Sequence, residues 1–218
     1  KKGMKLLDIG CGWGSLINFA AKKDGVKAVG VTVSKEQAAL AREKAKGLPV
    51  EIRLCDYREV NGQFDHVASV GMVEHVGPKN YRTYMEVANR CLKDDGLFLL
   101  HTIGALNTHL HGDPWIHKYI FPDSKLPSLR QLTTAAEKLF VIEDVHNFGV
   151  YYDPTLMAWH EKFTSNWDSL KDKYDERFFR MWTYYLLCCA GSFRARKNQV
   201  WQIVLSKNGV PGGYKSVR

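Results

Sequence analysis

The sequence predicts an α/β fold: a mostly parallel sheet with helices on both faces. Three observations carry this. Short, continuously apolar runs alternate with helix-like segments through the first half of the chain. A glycine loop, Gly10-Cys11-Gly12-Trp13-Gly14, joins the first apolar run to the first helix-like segment. The 218 residues are 45% hydrophobic and 25% charged, the balance of one globular domain with a sizeable core rather than of a disordered chain.

The elements follow in order. Lys5 to Ile9 is a short strand that runs into the glycine loop, and Ser15 to Lys23 has helical character. Ala28 to Val33 is a second strand. Ser34 then serves as N-cap of a helix through Lys46, with Glu36 and Gln37 in its first turn. Val50 to Leu54 and His66 to Val70 are two more strands, and Pro78 opens a helix to about Cys91. Asp94-Asp95-Gly96 is expected to turn the chain before the apolar strand Leu97 to Leu100. From His101 to Pro127 periodicity fades, so this stretch is expected to be a structureless functional loop or lid. Ser128 to Leu139 is helical, Phe140 to Val145 a strand, Thr155 to Trp167 and Glu176 to Cys189 long aromatic-rich helices, and Gln199 to Leu205 the last of seven strands. Neither repeat nor low-complexity linker interrupts this, so one domain with an inserted cap is expected.

Lys and Arg total 31 against 23 Asp and Glu, a net charge of +8, which suggests a polyanionic partner, nucleic acid or an anionic lipid surface. No apolar run approaches the roughly 18 residues of a membrane span, so membrane contact is expected to be peripheral. The start, Lys1-Lys2-Gly3-Met4, lacks the pattern of a signal peptide. Five scattered cysteines, Cys11, Cys55, Cys91, Cys188 and Cys189, suit a reducing compartment, expected to be the cytoplasm.

The glycine loop lets backbone approach a ligand in front of a helix N-terminus. A dinucleotide fingerprint is the nearest alternative, but Gly14 falls one place early and the acid, Asp8, precedes the loop. The order strand, Asp8-x-Gly10-x-Gly12-x-Gly14, helix resembles motif I of class I S-adenosylmethionine-dependent methyltransferases. That resemblance places Asp8, Gly10, Cys11, Gly12, Trp13 and Gly14 around the methionine part of the cofactor. It places Thr32, Ser34 and Gln37 near the ribose, where an acid is more usual, and Asp56 and Tyr57 near the adenine.

Further blocks narrow it. GCGWG, VGVTVSKEQ, SVGMVEHVGPKNY, LFLLHTIG, DPWIHKYIFP and HNFGVYYDPTLMAW occur in order from about Lys5 to Trp201. The series is similar to the cyclopropane-fatty-acyl-phospholipid synthases and their mycolic acid methyltransferase relatives. The resemblance implies a Rossmann-like class I methyltransferase fold with a seven-stranded, mostly parallel sheet and an acyl-binding cap, made of an insert over about 104–127 and a helical insert over about 153–192. It implies methyl transfer to a cis double bond of a phospholipid acyl chain, a carbocation, and ring closure with loss of a proton to a bound bicarbonate. The bicarbonate ligands it implies are Glu74, His101, the backbone N–H of Ile103, and Tyr152, and it singles out Cys189 as a recurrent cysteine with a suspected catalytic role. Glu74 follows the fourth strand and His101 the fifth, at the strand ends where open α/β sheets bind ligands. Val70-Gly71-Met72-Val73 stands where many amino-group methyltransferases carry Asn/Asp-Pro-Pro-aromatic, which favours an apolar acceptor.

Other residues have plainer readings. His109, His111 and His117 have no acid or cysteine partner at a metal-ligand spacing, so they are expected to belong to a polar lid and no metal is expected. Trp159, Phe163 and Trp167, four residues apart, are expected in the core. Cys189 is expected to be structural more than catalytic, because the alkene itself attacks the methyl. Arg177, Arg180, Arg194, Arg196 and Lys197 are expected to meet lipid phosphates. Nucleic acid is not expected, since the insert lacks interleaved basic and aromatic residues. The resemblance also implies upstream helices, a further cysteine completing the bicarbonate site and a lipid-binding or homodimer-forming segment, so this chain is expected to be the C-terminal catalytic part of a longer protein at the inner membrane face. A methyltransferase for another acceptor and a cofactor-binding module without catalysis are the alternatives.

Overall fold

A computed structural model describes residues 1–109 and 111–218; Leu110, within the expected insert, lies outside them. The chain runs β1 (Lys5–Ile9), α1 (Ser15–Asp24), β2 (Lys27–Thr32), α2 (Lys35–Lys44), β3 (Val50–Leu54), β4 (Phe64–Val70), α3 (Tyr81–Cys91), β5 (Leu92–Ala105), α4 (Pro114–Tyr119), α5 (Leu129–Ala136), β6 (Val141–Asn147), α6 (Tyr152–Ser165), α7 (Glu176–Arg194) and β7 (Asn198–Ser206). The seven strands form one sheet in the order β3-β2-β1-β4-β5-β7-β6. β1 to β5 pair in parallel, and β7 runs antiparallel between β5 and β6. The order reverses between β1 and β4, and a crevice at such a reversal is where open α/β sheets bind ligands.

Local chemistry fixes the helices. Ser34 Oγ accepts from Gln37 N–H at 3.2 Å and caps α2. Ser128 and Gln131 cap α5 reciprocally, side chain to backbone each way. α3 buries Tyr81, Tyr84, Met85, Ala88 and Cys91, the spacing of one helix face. α1 and α2 cover one face of the sheet through Ile17, Ala38 and Ala41 against Ala28 and Ile52. α3 and α5 cover the other, setting Tyr84, Met85 and Leu132 on Phe98, Leu100 and Leu205. Each fully buried large side chain here contributes about 1.5–3 kcal/mol of transfer free energy. A third cluster, Leu156, Leu186 and Phe193 on Val200, seats the α6–α7 hairpin beside Ile103.

Three expectations need correction. Asp94-Asp95-Gly96 does not end a turn before a new strand; it lies within β5, as an irregularity between the pairs Phe64↔Leu92 and His66↔Leu97. Lys93 Nζ holds Asp65 at 2.6 Å across it, so paired backbone on both sides overrides the local turn chemistry. The stretch from His101 is not structureless. Residues 101–105 extend β5 against β7, and Pro114–Tyr119 forms α4. The Asp113 side chain accepts from Trp115 and Ile116 N–H, with Pro114 at the first helical position. Finally, Arg177, Arg180, Arg194, Arg196 and Lys197, expected to meet lipid phosphates, do not share one patch: Arg177 and Arg194 lie about 26 Å apart along α7, and Arg194 is paired with Asp153 at 2.8 Å. Among the described residues no helix is long and apolar enough to cross a membrane.

Gly104 of β5 lies under the indole of Trp201, and a Cβ there would collide with the ring. Gly104→Ala is therefore expected to lower stability by about 1–3 kcal/mol through overpacking. Urea unfolding checks this: the midpoint should fall at unchanged slope, and an unmoved midpoint would show that the indole yields freely.

Candidate active site

Two cavities flank the carboxyl ends of β4 and β5. The first, about 420 Å³, is lined by Gly10, Gly12, Thr32, Ser34, Gln37 and Tyr57, with Cys55, Val70, Met72 and His75 among its other walls. Gly10, Gly12 and Gly14 all have positive φ (82°, 52° and 76°), which L side chains rarely adopt. A Cβ on Gly10 would run into Met72, whereas one on Gly12 would meet nothing within 4 Å. Gly10 and Cys11 N–H both donate to Val31 O, so the loop is tied to β2. Thr32 Oγ1 donates to Gln37 Oε1 at 2.8 Å and accepts from Ser34 N–H at 3.2 Å, a preassembled polar group at the end of β2. Asp56 is engaged by Arg58 at 2.7 Å, while Tyr57 packs edge-on to Tyr84.

Glu74 lies in a single 3-10 turn (Val73–His75) just after β4. Its Oε1 accepts from the Ile103 N–H at 2.8 Å, and its Oε2 is buried without a partner. Burial raises its carboxyl above the usual range for glutamate. Tyr152, at the start of α6, is half-buried; burial first, then the Glu74 charge, raises its phenol. The sequence therefore brings Glu74, Ile103 and Tyr152 into one group from residues 29 or more positions apart. His101 lies two residues before Ile103 on the same face of β5, with its Nδ1 3.4 Å from Gln202 Nε2 and its ring against Phe148. Burial lowers its pKa, so it is neutral near pH 7.

The second cavity, about 450 Å³, starts at Ile103 and Tyr152 and runs between α6, α7 and the insert. Ile116, Phe121, Leu126, Leu156, Trp159, Tyr185 and Phe193 make its walls largely apolar. Cys188 and Cys189 both reach it, and burial pushes the Cys189 thiol up to about 12, so the sulfur is a protonated wall atom at neutral pH. Trp159 is not core: it is 48% exposed and lines this cavity. His117 also lines it, with Nε2 buried and unpartnered, while His109 and His111 are exposed. Among the described residues no three His, Cys, Asp or Glu side chains converge as metal ligands.

Of the residues expected around a cofactor, Gly10, Gly12, Thr32, Ser34, Gln37 and Tyr57 line the first cavity. Asp8, Cys11, Trp13, Gly14 and Asp56 are not among its walls: Asp8 and Cys11 are buried beneath the loop, and Trp13 faces solvent. Met72 and His75 were missed. Both flank Glu74 in the turn after β4, so their place next to an expected ligand was the available signal.

The glycine loop before α1, the cavity at the reversal of strand order and the antiparallel β7 define the class I methyltransferase fold. Within it, the chain belongs to the mycolic acid cyclopropane synthetase family, whose model matches residues 1–203. It is 56% identical over 218 residues to the cyclopropane-fatty-acyl-phospholipid synthase of Escherichia coli K12, covering 100% of this chain and 57% of that protein. It is 36% identical over 222 residues to the tuberculostearic acid methyltransferase UfaA1 of Mycobacterium tuberculosis, covering 97% of this chain and 52% of that protein. The chain thus spans little more than half the length of these curated relatives. Its structure matches the mycolic acid cyclopropane synthase CmaA1 complexed with SAH and CTAB at a TM-score of 0.87 and 30% identity, covering 95% of this chain and 79% of that one. The cyclopropane synthase MmaA2 from Mycobacterium tuberculosis matches at 0.87 and 28% identity, with the same coverage.

Asp8 gives a direct test of the loop's foundation. It is buried, its Oδ1 has no partner, and burial pushes its carboxyl up to about 7. Between about pH 4 and 7 the unfolded chain loses this proton while the folded one keeps it, so stability falls as pH rises, by up to about 4 kcal/mol in all. Asp8→Asn is expected to remove that fall in urea titrations across the window. Parallel pH profiles for the two proteins would contradict it.

Proposed function

We propose that this chain is the catalytic part of a cyclopropane-fatty-acyl-phospholipid synthase, converting a cis double bond of a phospholipid acyl chain to a cyclopropane with S-adenosylmethionine as one-carbon donor. The observation that carries this is the buried, half-satisfied Glu74 carboxylate, in a turn whose neighbours Met72 and His75 line the glycine-loop cavity and bonded to the N–H of Ile103, which lines the second. The relatives' names and the SAH-bound CmaA1 support the same reading.

The residues fit the cofactor. Gly12 leaves open space where any side chain would intrude, Thr32 and Gln37 offer hydroxyl and amide to a ribose, and Tyr57 offers a ring face to a base. They also fit a bicarbonate: the unpartnered Glu74 Oε2 can accept its acid O–H, and the Tyr152 phenol is close enough to feel the Glu74 charge. When bound, S-adenosylmethionine supplies an electrophilic methyl and bicarbonate an oxygen base. The chain's own part is threefold. The apolar walls from Ile116 to Phe193 keep water from a cationic acyl chain. The ring faces of Tyr152, Trp159, Tyr185 and Phe121 favour positive charge beside them. Glu74, its carboxyl raised by burial, takes up and holds a proton more readily than an exposed glutamate does. The Ile103 N–H fixes the carboxylate through Oε1, so in this reading it orients Glu74. The protein is proposed to work from the aqueous side of the cytoplasmic membrane face, where its +8 charge favours anionic lipid.

Methyl-labelled S-adenosylmethionine with vesicles of cis-unsaturated phospholipid, with and without bicarbonate, tests this. Label in cyclopropane-bearing acyl chains, increased by bicarbonate, is expected; label in RNA or DNA and never in lipid would overturn it. Glu74→Gln is expected to cut turnover about 100-fold or more while leaving the affinity for S-adenosylhomocysteine nearly unchanged. Equal loss of both in a kcat and calorimetry comparison would remove Glu74 from the acyl side.

A further inference from the structure

α7 carries an exposed stripe, Arg177, Arg180, Tyr184, Leu187 and Cys188, three or four residues apart and so on one helix face. The opposite face, Leu186, Ala190 and Phe193, is buried. Tyr184 is 53% exposed and Leu187 41%. At its C-terminal end the stripe meets the acyl cavity, because exposed Cys188 lines that cavity from α7 and exposed Trp159 lines it from α6. The cavity therefore opens between these helices, beside a rim of exposed apolar and aromatic side chains. The insert closes the rim: the Trp115 ring packs edge-on at 4.6 Å to Tyr184, and Phe121 at 6.1 Å to Tyr185.

Cations gather at the other end. Lys118 sits over the Tyr119 ring at 5.1 Å, and Lys118 first, then Arg177, holds that phenol below its usual range, so the insert and α7 bring positive charge together. Among the described residues Arg177, Arg180 and Lys118 form no ion pair, whereas Arg194 is neutralised by Asp153. Asp113, the one carboxylate lining the cavity, is turned to its own helix as the N-cap of α4. A helix face with exposed aromatic and apolar side chains and a cavity mouth at one end and unpaired cations at the other matches the chemistry of a bilayer interface: rings settle at head-group depth and cations meet phosphates.

We propose that the outer stripe of α7, with Trp159 and the α4 insert, is the surface by which the protein docks on an anionic lipid bilayer, so that an acyl chain enters the cavity at Cys188 and Trp159 directly from the membrane. This rests on the lipid reading given under Proposed function and adds the surface and direction of entry. Arg177 and Arg180 meet lipid phosphates, and Tyr184 and Leu187 enter the head-group layer.

Cosedimentation with vesicles of phosphatidylglycerol and phosphatidylcholine, against phosphatidylcholine alone, tests it. The unaltered chain is expected to prefer the anionic vesicles. Arg177→Ala with Arg180→Ala should weaken that binding about 30-fold, two cations at about 1 kcal/mol each. Leu187→Glu should also weaken it, and Lys22→Ala with Lys23→Ala, which removes the same charge at the end of α1, should not. Equal weakening by both double variants would show a response to net charge and overturn the surface, as would vesicle binding untouched by the α7 changes. An oligonucleotide competitor displaced by the α7 changes while vesicles are not would assign the surface to nucleic acid instead. Label transfer by the unaltered chain to detergent-dispersed cis-unsaturated phospholipid is measured in parallel. Its absence would overturn the lipid reading itself, while vesicle binding alone decides the docking surface.

Discussion

The hydrogen bond from the Ile103 N–H to Glu74 Oε1, 2.8 Å long, joins the two halves of the site. It fastens the turn after β4, whose Met72 and His75 line the glycine-loop cavity, to Ile103 of β5, which lines the second. Neighbouring bonds depend on the same placement. Gly71 N–H donates to His101 O at 3.0 Å, and Lys125 N–H donates to Glu74 O at 2.7 Å, so the far end of the insert is fixed to the backbone of the carboxylate itself. A buried carboxylate is costly unless held by such donors. Here one oxygen is held and the other left over. Burial raises the proton affinity of Glu74, and its free oxygen, like the unpartnered Nε2 of His117, is left for a polar partner.

How far the sequence revealed this differs by scale. The glycine loop, the first five strands and the cap of α2 were legible because their chemistry is local: glycines where φ is positive, apolar runs between helices, Ser34 where a helix begins. Glu74, His101, Ile103 and Tyr152 were named only through a family resemblance. The residues alone do not show that Glu74 would take the Ile103 N–H, a contact made 29 positions away by parallel pairing of β4 with β5. The turn expected at Asp94-Asp95-Gly96 was absorbed into β5 because strand pairing outweighs a local preference. α4 was missed although Asp113-Pro114 states its start clearly; six residues are too few to show a helical period. Trp159 was assigned to the core from its spacing with Phe163 and Trp167, but a helix that walls an open cavity shows the same period as one that is buried.

The charge of the chain also becomes local. A net +8 first offered any polyanion. Pairing removes Arg53, Arg58, Lys93 and Arg194 from that account, each held by a carboxylate within 3.0 Å. Arg177, Arg180 and Lys118 form no ion pair among the described residues, and they lie at the end of the α7 stripe opposite the one that reaches the second cavity. Under the proposed reading, attraction to phosphate and entry of an acyl chain share the outer face of α7.

The site depends on Glu74 being a buried, half-satisfied carboxylate tied to Ile103. A carbon-13 NMR titration of the chain labelled at its glutamate carboxyls, with Glu74→Gln to assign the resonance, tests it most directly. The expected result is one glutamate titrating clearly above the ordinary value of about 4.3, absent from the variant. If the resonance lost in Glu74→Gln titrates at the ordinary value with the exposed glutamates, the carboxylate is solvated and the account of the site fails.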